Sequence, residues 1–407
     1  MAYKNDFNYL RKTLDLSHKT QEIYDGRIRI YNLPFESENY KILPGEDSYH
    51  DQGRQFPKTP DYQNAISPEI NEILNLADST VHENRYFTYS IFSPPGNGKA
   101  RGAIMLFHGL NEKNWDKYLV WAKTLTEKTG KAVILFPIAF HMNRAPRDWS
   151  DARTMNDLRF EREGLFPAVV GSSFANVAIS TRLHILPQRF FWSGVQTFYD
   201  VIQLIREIRN DEHPVIAKDA SIDFFAYSIG AFLMEVLMLD NPGGHFDSSR
   251  LFIFCGGPVF NRMSPVQKTI LDSEANIALY SFFIEHLDSY LKTDARLAHY
   301  FSPLHSEGMV FKSMTDYNKM IGFREEKIRK ISHRIMAVVL KQDKVVPYYE
   351  VLNTLQGAAR DIPVPVKILD FPFSYTHENP FPLRDKYQQE VDRKFEEVFG
   401  MAAEFLC

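Results

Sequence analysis

Cysteine is nearly absent. The 407 residues hold only Cys255 and Cys407, and the second closes the chain, so neither a disulfide framework nor a thiolate metal site can be assembled. No apolar run approaches the roughly 18 residues that a membrane-spanning helix needs. The start, Met1-Ala2-Tyr3-Lys4-Asn5-Asp6-Phe7, has no apolar stretch behind a basic one, so a soluble cytoplasmic protein is expected. Charge of one sign is missing too: 47 Lys and Arg stand against 51 Asp and Glu, for a formal net charge of −4 and a pI near 6.4. That balance leaves no basic footprint for a phosphate backbone, which argues against a nucleic-acid partner. Internal repeats and low-complexity tracts are also absent.

What is present suits a large globular enzyme. The chain is 44% hydrophobic and 24% charged, an ordinary folding composition, and its length fits one large domain with insertions. Aromatic residues reach 14%, with 32 Phe and 20 Tyr. Core filling accounts for most of such rings, and an apolar pocket is the second use. Residues 1–84 read as an N-terminal extension packed on the main domain. It holds turn signals at Leu43-Pro44-Gly45 and Lys58-Thr59-Pro60, an alternating stretch at Arg27 to Tyr31, and a short helical pattern from about Pro68 to Leu76.

From Arg85 the texture becomes regular. Tyr86 to Phe92 alternates as a half-buried strand does, and Ala103 to Phe107 and Ala132 to Phe136 are continuous apolar runs of buried-strand length. Between the last two, Trp115, Leu119, Ala122 and Leu125 recur at helical spacing. A longer amphipathic helix through Val195 to Ile208 precedes a strand from Ser221 to Ala226, and a helix through Phe232 to Leu237 ends at Asn241-Pro242-Gly243. Leu251 to Phe254, Ile335 to Leu340 and Val366 to Leu369 are further strands, followed by a helix from about Leu383 to Val398. Alternating strands and helices imply an α/β fold with a mostly parallel sheet, helices on both faces, and chemistry beyond the carboxyl ends of the strands.

Three polar side chains fall at those ends. Ser228, in Ala226-Tyr227-Ser228-Ile229-Gly230, sits at a tight strand-to-helix turn among small residues. On local evidence it is equally a helix N-cap. Asp343 follows the strand ending at Leu340, ahead of a helix near Pro347, and is a candidate orienting carboxylate or a turn aspartate. His377 lies after the last strand. A serine hydroxyl needs an imidazole to accept its proton and a carboxylate to orient that imidazole, and the chain order Ser, Asp, His, each beyond a separate strand, matches that requirement. A fourth element, His108-Gly109-Leu110, follows Phe107. Its glycine permits close chain approach, so the amides of Leu110 and Ile229 are candidate oxyanion donors, with His108 and Gly109 shaping the loop.

With these residues in place, about Arg85 to Phe399 resembles the α/β-hydrolase superfamily of serine-hydrolase type, in a poorly characterised bacterial branch. The resemblance rests on His108-Gly109, the Ser228 turn, Asp343 with Val346-Pro347, and His377. It departs at Ala226, where the family usually has glycine. It implies Ser228 as nucleophile, His377 as base then acid, Asp343 as its orienting carboxylate, and acyl transfer to water from a small ester-like substrate. A thioesterase or acyltransferase with the same triad, or a non-catalytic binding protein on the same fold, remain alternatives. No cofactor and no metal are expected, since no His-x-x-x-His or Glu-x-x-His pair occurs on a helix in these segments. Pro137 to Pro146 is, more loosely, similar to the loop after the corresponding strand in some poorly characterised hydrolase-like branches, and its Arg144 is read either as a loop anchor or as a contact for a substrate carboxylate. Two insertions, about 141–193 and 261–333, rise above the carboxyl edge. The second, rich in Ile277, Leu279, Phe282, Phe283 and Leu287, is expected to be a helical cap over an apolar acyl or alkyl group.

Overall fold

A computed structural model describes residues 2–45, 48–57, 77–96 and 98–407. The turn at Lys58-Thr59-Pro60 and the helical pattern from Pro68 to Leu76 lie outside these. Nine strands form the main sheet: β1 (Thr20–Ile23), β2 (Ile28–Glu36), β5 (Tyr86–Ser93), β6 (Ala100–Phe107), β7 (Ala132–Leu135), β8 (Ile216–Tyr227), β9 (Leu251–Phe254), β10 (Ile335–Leu340) and β11 (Val366–Leu369). Two short strands, β3 (Tyr49–Asp51) and β4 (Arg54–Phe56), make a separate antiparallel pair. The order across the main sheet is β1-β2-β5-β7-β6-β8-β9-β10-β11. From β7 through β11 every pairing is parallel, while β1, β2 and β5 join antiparallel. This is the α/β-hydrolase fold, an α/β architecture with a mostly parallel sheet.

Period-two burial explains the layering. Along β8, Phe224 and Ala226 enter one core cluster, while Phe225 and Tyr227 enter the other. The first cluster takes the apolar stripe of helix Arg189–Arg209 and most of helix Ile229–Asp240, and the second takes helices Asp116–Thr129 and Gln388–Leu406. A sheet covered on both faces needs strands that are apolar throughout, as the central runs are.

Two sheet strands come from before Arg85. The stretch at Arg27 to Tyr31 belongs to a strand that runs on to Glu36, with Ile28 and Ile30 entering one core cluster and Leu33 and Phe35 the other, and β2 pairs from Arg29 to Glu36 with β5. Pro34 is tolerated because it lies beyond the end of β1, on an edge where no ladder donor is needed.

Helices fill the stretches between β7 and β8 and between β9 and β10. The first carries Ala152–Leu165 and Val177–Ile185, and the second carries Ser273–Tyr280, Leu287–Thr293, Ala295–Tyr300, Ser306–Thr315 and Ile321–Ile331. One buried ion pair joins the two stretches: Arg162 Nε and Nη2 donate to Asp272 Oδ2 and Oδ1 at 2.6 and 2.9 Å. The Asp272 carboxylate also caps the Ser273 helix through the amide of Ala275.

Candidate functional site

Register brings the strand ends level. Phe107 is opposite Ala226 and Tyr227 is opposite Phe254, so the turns after β6, β8 and β9 lie side by side. Ser228 occupies the turn after β8 with φ 56° and ψ −123°, a sparsely populated conformation held by the helix that starts at Ile229. Its side chain makes no capping bond to that helix. Gly230 has no freedom to be larger: a Cβ there would lie 2.7 Å from the carbonyl oxygen of His108 and 2.9 Å from Phe107. Ala226 is buried in the core, where its methyl is accommodated.

The three predicted side chains converge. Asp343 Oδ1 accepts from the amides of Val345 and Val346, both at 2.9 Å, which pins the carboxylate. Its Oδ2 lies 2.7 Å from His377 Nδ1. A carboxylate there requires the Nδ1 proton, leaving Nε2 to accept from the Ser228 hydroxyl at 2.7 Å. All three residues are buried.

The His377 loop is held from below. Tyr227 stacks on the imidazole at 5.4 Å between centroids, and its hydroxyl donates to the His377 carbonyl. Lys117 Nζ donates to the neighbouring carbonyl of Glu378 at 2.9 Å and sits over the Tyr227 ring. Sequence reasoning missed both supports. The one available signal for Tyr227 was strand alternation, which turns it to the face opposite Ala226.

Ile229 follows Ser228 in the turn after β8, and Leu110 lies in the neighbouring turn after β6. Neither amide has a hydrogen-bond partner among the described residues, and each residue lines the same cavity. His108 is buried and donates from Nδ1 to the carbonyl of Gly109 at 2.8 Å, while its Nε2 accepts from the amide of Ile138 at 3.0 Å. Burial holds its pKa well below the usual histidine value, so the ring is a neutral brace between two loops. The amide of Gly109 donates to the Tyr118 hydroxyl.

Arg144, read from the sequence as a loop anchor or a contact for a substrate carboxylate, is placed as an anchor would be. It is wholly buried, with Nη2 2.8 Å from Asp200 Oδ2, Nη1 donating to the Pro137 carbonyl and Nε donating to Asn84 Oδ1. Every face of the guanidinium is spoken for, and the Phe87 ring covers it. Sequence alone left two readings because a loop arginine carries no mark of its burial.

A cavity that reaches Ile229, the residue after Ser228, measures about 90 Å³ and is walled mainly by Phe190, Phe191, Phe232, Leu233, Val236 and Phe311; Ser228, His377 and Asp343 are not among its lining residues. Its charged members are turned to other work: Arg182 and Arg189 both pair with Asp78, and Glu307 pairs with His305 and Tyr199. His141 also lines it, neutral because burial pushes its pKa down to about 4.

Among solved structures, the chain is similar to carboxyl esterase 2 from the mycorrhizal fungus Tuber melanosporum, at 12% identity and a TM-score of 0.43, over 79% of this chain and 82% of that one. It is also similar to a thermostable esterase from Pseudomonas putida ECU1011, at 10% identity and a TM-score of 0.44, over 100% and 91%. A cold-adapted esterase from an Arctic intertidal metagenomic library aligns at 9% identity with a TM-score of 0.37, over 97% and 98%. No curated protein matches the chain. Its family membership is nevertheless plain: one family model spans residues 1–407, and the chain belongs to that family, the family of unknown function DUF6051.

Proposed function

We propose that the protein is a serine hydrolase that cleaves a small carboxylic ester through an acyl-enzyme. The observation that carries this reading is the unbroken chain Asp343 Oδ2, His377 Nδ1, His377 Nε2, Ser228 Oγ, with both links at 2.7 Å. In the proposed reaction Ser228 attacks the ester carbonyl while His377 takes its proton. The amides of Leu110 and Ile229 then receive the developing oxyanion, and His377 returns the proton to the leaving alcohol. Water, activated by the same imidazole, releases the acid. Asp343 stays ionised throughout and stabilises the imidazolium.

The apolar cavity supports an apolar acyl or alkyl group. Its walls come from both inserted stretches as well as from the helix after Ser228, and it reaches the two candidate oxyanion residues. The helices between β9 and β10, with those between β7 and β8, are proposed to act as a cap over that group.

A fluorophosphonate probe tests the reading, because it reacts covalently only with an activated serine. The wild-type protein should label and Ser228→Ala should not, with unchanged circular dichroism. Equal labelling of the variant, or an unlabelled wild type, would overturn it. Profiling the labelled enzyme on matched ester and thioester substrates then assigns the bond.

A further inference from the structure

Far from Ser228 in sequence, Asp51, His299 and His305 aim ligand atoms at one point. Asp51 Oδ2 lies 2.7 Å from His299 Nε2 and 2.9 Å from His305 Nε2, and the two imidazole nitrogens are 3.2 Å apart. Both histidines are buried and Asp51 is partly exposed.

Protons satisfy this arrangement only if His305 is a cation that donates from Nδ1 to Glu307 and from Nε2 to Asp51, and His299 Nδ1 is still left without a partner among the described residues. His305 Nδ1 lies 2.6 Å from Glu307 Oε1, a carboxylate that can only accept, so Nδ1 carries the proton. In the neutral ring, Nε2 is then a bare lone pair, and it faces the carboxylate of Asp51 and a second imidazole nitrogen. If His299 Nε2 donates to Asp51, its own Nδ1 is left buried as an acceptor with no partner among the described residues. Three electron-pair donors converge where one cation would satisfy them together.

We propose that Asp51, His299 and His305 bind a divalent transition metal of the zinc class. A triangle with these sides admits a point about 2.0–2.1 Å from all three corners, the ordinary Zn–N and Zn–O distance. Two imidazoles and one carboxylate favour zinc over magnesium or calcium, which prefer all-oxygen shells. Glu307 supplies the outer partner that metal-bound histidines usually have, a carboxylate fixing the tautomer, and Tyr199 Oη in turn donates to Glu307 at 2.7 Å. Tyr300 stacks on His305 at 4.2 Å between centroids and Phe56 lies 5.1 Å from His299, which walls the site with apolar rings. The fourth position falls to water on the partly exposed Asp51 side.

The metal would be a tether. Asp51 ends β3 of the small β3–β4 pair, and an isolated two-stranded ribbon is marginal in water. His299 and His305 belong to the helical stretch between β9 and β10. One ion therefore pins the ribbon to that stretch. Glu307 also lines the apolar cavity, so the metal lies two side chains from the cavity wall while sharing no residue with Ser228, His377 or Asp343.

The test is metal content and uptake by the full-length protein. Elemental analysis after gel filtration from zinc-supplemented expression should give about one zinc per chain. Protein stripped with a chelator should lose thermal stability, regain it with Zn²⁺, and take up Co²⁺ with the visible absorption of a four-coordinate site. His299→Ala and His305→Ala should retain under a tenth of the metal. Glu307→Gln, the milder change, should fold normally and bind Zn²⁺ roughly 10–100-fold more weakly. A wild type that takes up neither Zn²⁺ nor Co²⁺ would overturn the proposal and leave a protonated histidine pair in its stead. Unchanged affinity in Glu307→Gln together with full metal content in a folded histidine variant would overturn it equally, since the metal would then be held elsewhere.

Discussion

The Tyr227 ring lies nearly parallel to the imidazole of His377, 17° off, while its hydroxyl donates to the carbonyl oxygen of the same histidine. One residue thus sets both the plane of the ring and the height of its backbone. It does so from the position immediately before Ser228.

Tyr227→Phe keeps the stacked ring and removes the hydroxyl. A neutral hydrogen bond of this kind contributes about 0.5–1.5 kcal/mol, so kcat on an activated ester should fall roughly two- to tenfold with KM little changed. Fluorophosphonate labelling should persist at a slower rate. An unaltered kcat would show that the imidazole needs no such support.

Leu233 projects into the apolar cavity from the helix that follows Ser228. Leu233→Trp fills that space. In a hydrophobic pocket one methylene alters kcat/KM by roughly 10–200-fold, so esters of longer acids should lose at least tenfold relative to acetate esters. An unchanged ratio in a folded variant would remove the cavity from the acyl-binding role.

Arg144 and Asp200 form a pair with neither side chain exposed. Arg144→Met strands the buried carboxylate and should destabilise the fold by about 3–5 kcal/mol, read as a lowered urea midpoint. Removal of a substrate clamp would instead raise KM and leave the midpoint alone.

Glu235 is buried with neither carboxylate oxygen partnered among the described residues, and burial raises its pKa well above the usual carboxyl value. The folded protein therefore holds a proton that the unfolded chain releases near the ordinary glutamate pKa of about 4.3. The associated stability is complete below that value and is lost as pH rises toward the folded pKa. Glu235→Gln should raise the urea midpoint more at pH 8 than at pH 5. A pH-independent difference would mean the carboxyl is not protonated in the fold.

Legibility in the sequence followed locality. β9, β10 and β11 stand where their apolar runs do, and the residues at strand ends could be named because a parallel sheet exposes its carboxyl edge. Strand β8 begins earlier than its apolar stretch because Ile216 pairs with Ala100, and the register then shifts so that regular pairing resumes at Ser221 opposite Gly102. Strand β2, second from the sheet's edge, was visible only as alternation, since nothing in its residues says which sheet it joins. Tyr227, Lys117 and the Arg162–Asp272 pair act through distant partners and leave no pattern. The same holds for Asp51, His299 and His305, whose ligand atoms come from segments 248 residues apart at the nearest link.

The bidentate bond between Arg162 and Asp272 governs how a molecule could reach the cavity. If either stretch swung away alone, it would give up two charge-assisted hydrogen bonds, about 1.5–3 kcal/mol each. A movement that kept the two stretches together would preserve this bond, so if the proposed cap opens, entry is expected at its margin rather than through a seam between the stretches.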